Sequence, residues 1–236
     1  MHPVQFRQRE ETYLASERYE QPKEIFRRLS ELLAPWVVER PHASLIDVGC
    51  ATGELIYFLK SHYPNLSYAG LDSKPAFIEK ARRVKQLAEC RFMVGEALTS
   101  LTGRYDLVTC FGMLGVFDEF EPLVQTLIDH TSPGGRVFVH ALFNDYDIDV
   151  HISYRDNQHT TDWNGGYNIF SMARVNDWLT ALGKKHRFHA FVMPVDLPPN
   201  VDFPHRAWTL RLADGNRQTV NGLNLLLPEK LLEIEI

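Results

Sequence analysis

The feature that most restricts this chain is the bend Asp47-Val48-Gly49-Cys50-Ala51-Thr52-Gly53, which carries a short apolar run, residues 45–48, into a helical pattern over residues 54–63. A strand that turns this sharply into a helix needs small residues there, and small residues let a ligand approach the backbone. Gly49, Ala51 and Gly53 supply them. Asp72 follows Gly53 by nineteen residues, at the end of a second apolar run, residues 66–71. From there its carboxylate would reach the same crevice and accept hydrogen bonds from two ribose hydroxyls. Ser73 rather than arginine comes next, so nothing invites a 2′-phosphate.

The rhythm continues. Strands are expected at 91–94, 105–111 and 136–143, and helices at 75–85 (capped by Ser73) and 118–130 (capped by Asp118). Pro133-Gly134-Gly135 reads as a turn. Strands alternating with helices imply right-handed βαβ units. The fold class is therefore α/β: a doubly wound, mostly parallel seven-stranded sheet with helices on both faces and an antiparallel C-terminal hairpin. The hairpin rests on β-like segments at 186–195, 207–212 and 218–227 and on the Asp214-Gly215 pair. One domain is expected over residues 1–236. It divides into a helical cap (1–40), a cofactor-binding core (41–143), an acceptor lid (144–170) and a C-terminal helix with antiparallel strands (171–236). Pro22 opens the cap helix, and Pro35 is expected to bend or end it near Ala34.

The ligand class follows from what the bend lacks. A dinucleotide fingerprint asks for G-x-G-x-x-G. Read from Gly49 this chain gives Gly49, Ala51 and Glu54, and a carboxylate at a helix N-terminus repels a pyrophosphate. The phosphate loop ending in Gly-Lys-Ser/Thr is also absent. A nucleoside with ribose but no phosphate remains, and a sulfonium nucleoside with a zwitterionic tail meets that description.

These residues resemble the class I S-adenosylmethionine (SAM)-dependent methyltransferase family. Residues 45–53, Tyr68-Ala69-Gly70-Leu71-Asp72, Phe92-Met93-Val94-Gly95-Glu96-Ala97, Tyr105-Asp106-Leu107-Val108 and Pro133-Gly134-Gly135-Arg136-Val137 look like its motifs, in order and at its spacing. The resemblance implies SAM as cofactor. Gly49, Cys50, Ala51 and Gly53 would admit its methionine part, with Asp47 near the ammonium. Asp72, followed by Ser73, would hold the ribose, and Glu96 the adenine amino group, with Ala97 and Leu98 beside the ring. Phe111 and Gly112 would line the methionine side. Ala51 and Glu96 depart from the family's commoner glycine and aspartate.

Charge and composition narrow the acceptor. The formal net charge is −5 and basic residues form only short clusters, so a nucleic-acid partner is not expected. The Asn/Asp-Pro-Pro-Tyr/Phe signature of nucleic-acid amino methyltransferases is missing after the fourth strand. No run of about 18 apolar residues exists, so no membrane partner is expected. The N-terminus has no secretory pattern, and three widely spaced cysteines fit a reducing compartment, so the location expected is cytoplasmic.

The expected activity is methyl transfer to an oxygen or nitrogen of a small-molecule acceptor. A sugar or nucleotide-sugar methyltransferase of a polysaccharide or natural-product pathway, a non-catalytic SAM-binding subunit and an NAD-type oxidoreductase are the alternatives. Oligomeric state is left open, a homodimer being one arrangement. Candidate bases are His140, His151 and Asp145. His159 reads as a surface histidine, and Trp163, Tyr154 and Tyr167 as core or acceptor pocket. Asp145, Asp147, Asp149 and His151 would share one face if extended. They are read as solvated loop charges, and no metal is expected.

Overall fold

The computed structural model describes residues 13–15, 18–158, 161–201 and 205–236, so His159 lies outside the described residues. In chain order the elements are α1 (Glu24–Glu39), β1 (Ser44–Val48), α2 (Glu54–His62), β2 (Ser67–Asp72), α3 (Pro75–Arg83), β3 (Arg91–Val94), β4 (Tyr105–Phe111), α4 (Glu121–Asp129) and β5 (Thr131–Asn144). There follow the short β6 (Ser153–Tyr154), β7 (Asn164–Gly165) and β8 (Phe170–Ser171), then α5 (Met172–Ala181), β9 (His186–Ala190), β10 (Trp208–Arg211), β11 (Arg217–Val220) and β12 (Glu229–Glu235).

Seven strands form the central sheet in the order β3-β2-β1-β4-β5-β12-β9, with β8 paired to the end of β5. All these pairings are parallel except those of β12, which runs antiparallel to both its neighbours. The strand order reverses between β1 and β4, so a crevice opens beyond their C-terminal ends, where such sheets bind ligands. Alternation along each strand sends side chains to two cores. Ile46, Val48, Val108 and Val139 pack beneath α4 and α5 against Leu123, Leu127, Val175 and Leu179. Leu45, Leu107, Phe138 and Leu231 pack beneath α1 and α2 against Leu29, Leu33, Trp36 and Leu59.

Several expectations are corrected. The last sheet strand is β12, which the sequence reading did not isolate; the segments read at 207–212 and 218–227 form a separate antiparallel pair, β10 and β11. Helix α1 runs through Pro35 rather than ending near Ala34. Pro35 and Glu31 both lie on its exposed side, so water can serve the Glu31 carbonyl that loses its partner, while Leu33, Trp36 and Val37 stay buried. Helix α4 begins at Glu121, with Pro122 in its first turn, so Asp118 is not its cap. Ser73 makes no cap either, since Lys74 is the N-cap of α3. Ser171 does cap α5, accepting the Arg174 N–H at 3.1 Å.

Phe138 is fully buried beneath α1. Phe138→Ala is expected to lower unfolding free energy by about 3–5 kcal/mol in urea titration. Val38→Ala, on the open side of the same helix at 80% exposure, should change it by less than about 0.5 kcal/mol.

Candidate cofactor and acceptor site

The bend after β1 is built as a backbone cradle. Gly49 and Cys50 both donate their N–H groups to the Leu71 carbonyl, at 2.8 and 3.1 Å, which locks the loop to the end of β2. Gly49 (φ +78°) and Gly53 (φ +83°) occupy the left-handed region, and so does Ala51 (φ +46°). That conformation costs a residue with a Cβ about 1–2 kcal/mol. At Ala51 it is held by an N–H donated to Asp72 Oδ2 at 2.9 Å. The other oxygen, Oδ1, accepts the Lys74 N–H at 2.9 Å. The Asp72 carboxylate thus clamps the β1 loop to the β2 turn, and its remaining lone pairs are left for a ligand. Burial raises its pKa, and the two N–H bonds oppose that rise.

Three observations bear on what fits this cradle. A Cβ built on Gly49 would lie 1.9 Å from Met113 Sδ, so only glycine leaves room there. The Thr52 hydroxyl is buried with no partner among the described residues. Tyr19, from the segment before α1, donates its hydroxyl to the Thr52 carbonyl at 2.8 Å and covers the bend from outside. A close backbone, an orphaned hydroxyl and a carboxylate with spare lone pairs suit a ribose-bearing nucleoside. Glu54, 5% exposed at the head of α2, suits a pyrophosphate badly.

On the α1 side of the sheet a line of polar and aromatic groups runs away from the cradle. Asp47 is 3% exposed and accepts the Thr109 hydroxyl at 2.8 Å. Burial pushes its pKa up to about 7; the Thr109 bond lowers it and the Asp72 charge raises it. Two residues along β4 from Thr109, Phe111 packs on Phe26 of α1 (6.0 Å between ring centres) and on His140 (5.6 Å). His140 is the register partner of Phe111, and its carbonyl accepts the Gly112 N–H at 3.0 Å. The His140 Nε2 lies 3.1 Å from Glu229 Oε2 at the start of β12, and Phe191 stands edge-on to its ring. Lys23, at the head of α1, projects over the Phe26 ring at 5.5 Å. Lys23 is exposed as a residue, and its ammonium lies near Asp47, Glu54 and Glu229; desolvation of the ammonium lowers its pKa, and the Arg18 charge lowers it further.

The sequence-named residues therefore divide. Asp47, Gly49, Cys50, Ala51, Gly53, Asp72, Phe111, Gly112 and His140 gather along the ends of β1, β2, β4 and β5. Cys50 is buried beneath the bend, where burial raises its thiol pKa. Glu96 is exposed and close enough for its charge to raise the pKa of Asp72; Ala97 is buried and Leu98 is 41% exposed beside it. Ser73 is exposed.

The acidic segment is not extended, so its four members do not share one face. Asp145 pairs with Lys230, Asp147 accepts the Ser171 hydroxyl, Asp149 binds Ser171 and Arg174, and His151 stands 3.8 Å from Asp118. Among the described residues, His151 and Asp145 pair with Asp118 and Lys230 and not with His140. Trp163 and Tyr167 are exposed rather than core. The residues missed from sequence are Tyr19, Lys23, Thr109 and Glu229. Only Thr109 left a readable signal, since it alternates with Leu107 and Phe111 along an evident strand.

Comparison with known proteins agrees with this geometry. Residues 15–185 match the family model described as a methyltransferase domain. The trans-aconitate 2-methyltransferase of Deinococcus radiodurans is 32% identical over 128 residues, 54% of this chain and 49% of that protein. The demethylmenaquinone methyltransferase of Thermus thermophilus is 31% identical over 107 residues, 43% of this chain and 48% of that protein. The chain thus spans about half the length of these curated relatives. Magnesium protoporphyrin IX methyltransferase from Synechocystis PCC 6803, solved with bound SAM, shares the fold with a TM-score of 0.54 at 14% identity, over 88% of this chain and 78% of that one. With the family model covering most of its length, the chain belongs to the methyltransferase domain family, the class I SAM-dependent methyltransferases of Rossmann-like fold.

Proposed function

We propose that this protein transfers a methyl group from SAM to an oxygen or nitrogen of a small-molecule acceptor. The observation that carries the reading is the Asp72 clamp. It fixes a glycine-lined bend at the end of β1, and its acid is able to hold ribose hydroxyls. The curated relatives support a small-molecule acceptor, since their names specify trans-aconitate and demethylmenaquinone.

SAM supplies an already activated methyl group, so the protein's work is to bind, orient and exclude water. Asp72 would hold the ribose, the cradle from Gly49 to Gly53 the amino-acid tail, and Asp47 its ammonium. Glu96, Ala97 and Leu98 would border the adenine, with Phe111 and Gly112 along the methionine side. Residues 144–170 would form the acceptor lid and a single domain would carry both functions. Turnover against a panel of small acceptors, read by release of S-adenosylhomocysteine, tests the activity directly.

Two further outcomes are expected. By calorimetry Asp72→Ala should weaken S-adenosylhomocysteine binding about 10²-fold, as loss of a charged hydrogen-bonding group costs about 1.5–3 kcal/mol per bond. Asp72→Asn, which keeps the shape, should weaken it less; unchanged affinity in both variants would refute the clamp's role.

Asp47 makes the second prediction. Its folded pKa of about 7 lies above the ordinary 3.8. The folded protein therefore keeps a proton that the unfolded chain releases. The stability this contributes is complete below about pH 4 and is lost as pH rises through about 7, by an amount of order a few kcal/mol. A bound ammonium favours the ionised carboxylate. Affinity for S-adenosylhomocysteine should therefore rise with pH up to about 7, by at most about tenfold per unit. Asp47→Asn should flatten both profiles, and 5′-methylthioadenosine, which lacks the ammonium, should show no such rise.

A further inference from the structure

We infer that His140, oriented by Glu229, is the general base that takes a proton from the acceptor, and that the acceptor is a phenolic or enolic hydroxyl. This rests on the methyl-transfer reading above. An ionised carboxylate only accepts hydrogen bonds, so the 3.1 Å contact from Glu229 Oε2 places the imidazole hydrogen on Nε2. The Nδ1 atom then keeps its lone pair; among the described residues the ring's hydrogen bond is the one at Nε2.

Position separates this pair from its neighbour. His189 on β9 also pairs with a glutamate of β12, Glu233, at 2.7 Å, and both histidines stand opposite Leu231. His189, however, is two strands farther from β4, and its partner Glu233 also pairs with Arg136. His140 abuts Phe111, at the end of β4, beside the Gly112 turn. It is therefore the histidine of this row that borders the cofactor crevice.

The walls suggest the acceptor's shape. Phe111 and Phe191 pack on the His140 ring, and Phe26 of α1 backs Phe111, which suits a flat, conjugated molecule. Proton affinity suggests its group. A neutral imidazole has a pKa of about 6.5, a phenol like that of tyrosine about 10, and water about 15.7. Imidazole can accept a phenolic proton while a bond to carbon forms, but it is far too weak for an unactivated alcohol. A carboxylate acceptor, ionised at neutral pH, would need no base.

In the step, the hydroxyl proton passes to Nδ1 as the acceptor oxygen bonds to the methyl carbon. The carbon–sulfur bond breaks and its electron pair stays on sulfur, leaving a neutral thioether. The imidazolium then loses its proton to water. Glu229 is a positioning residue. Lys23, at the head of α1, is near enough to Glu229 for the two charges to act on each other.

The test uses the whole chain at about pH 8 with phenol and para-nitrophenol as probes, the second already ionised there and so with no hydroxyl proton to remove. The wild type should methylate both. His140→Asn should lose about 10²- to 10⁴-fold in kcat/KM on phenol but less than about tenfold on para-nitrophenol. His189→Asn should leave both rates unchanged. Nitrogen-15 NMR of the S-adenosylhomocysteine complex should find His140 protonated on Nε2 alone, and Glu229→Gln should mix the tautomers. Equal losses by His140→Asn on both probes would overturn the inference. So would a proton on Nδ1, or a wild type that binds S-adenosylhomocysteine yet methylates neither phenol. Failure of the wild type to bind S-adenosylhomocysteine at all would instead sink the methyl-transfer reading beneath it.

Discussion

The site depends on one carboxylate with two backbone partners. Asp72 ends β2, accepts the Ala51 N–H with one oxygen and the Lys74 N–H with the other, and so fixes the geometry of two loops at once. Without it Ala51 would have no reason to stay at positive φ, where its methyl group is unfavourable. The paired bonds from Gly49 and Cys50 to the Leu71 carbonyl set the distance, and the carboxylate sets the direction. A hydrogen-bonded acid is also a prepared acceptor: the cost of its burial is partly offset by bonds that remain whether or not a ligand arrives.

From that clamp the sheet divides its labour by strand order. The ends of β1 and β2 present the cradle, while β4, β5 and β12 present Phe111, His140 and Glu229. Asp47 and Thr109 lie between, buried and bonded to each other. Alternation places Asp47, Thr109, Phe111 and His140 on the same face as Leu45, Leu107 and Phe138, the face that α1 covers. The N-terminal helix is thus at once the lid of a hydrophobic core and the wall of a polar crevice. Its head supplies Lys23 and Phe26, and its length supplies Leu29, Leu33 and Trp36.

How much of this the sequence disclosed depends on where polarity was concealed. Strands β1, β2 and β4 were legible because both their faces are largely buried and they read as apolar runs bounded by glycine or acid. Strand β12 was not, because Glu229-Lys230-Leu231-Leu232-Glu233 carries charges that a local pattern assigns to solvent. In the fold each has a cross-strand partner: Glu229 with His140, Lys230 with Asp145, and Glu233 with Arg136 and His189. The acidic run after β5 misled in the same way. Its carboxylates serve Ser171, Arg174 and Lys230, contacts made across tens of residues that no local reading contains. Pro35 misled because the exposed side of a helix tolerates an unpaired carbonyl that a buried side would not.

The segment between β5 and α5 is joined to the cofactor crevice by Asn168, a residue with no obvious chemistry. It is 6% exposed and makes three hydrogen bonds. Its backbone N–H goes to the Gly115 carbonyl, its side-chain amide donates to the Phe117 carbonyl, and its side-chain oxygen accepts the Ile152 N–H. Gly115 and Phe117 belong to the turn after β4, the same turn that lays Met113 against Gly49. At the far end of the segment Arg174 binds Asp149, Glu119 and Glu121, tying it to the heads of α4 and α5. A displacement of the 112–117 turn would therefore be felt on both sides: by the bend after β1 through Met113 and by the segment between β5 and α5 through Asn168. One short turn of backbone touches both, which explains how a polar, irregular segment is held in register with the strand ends.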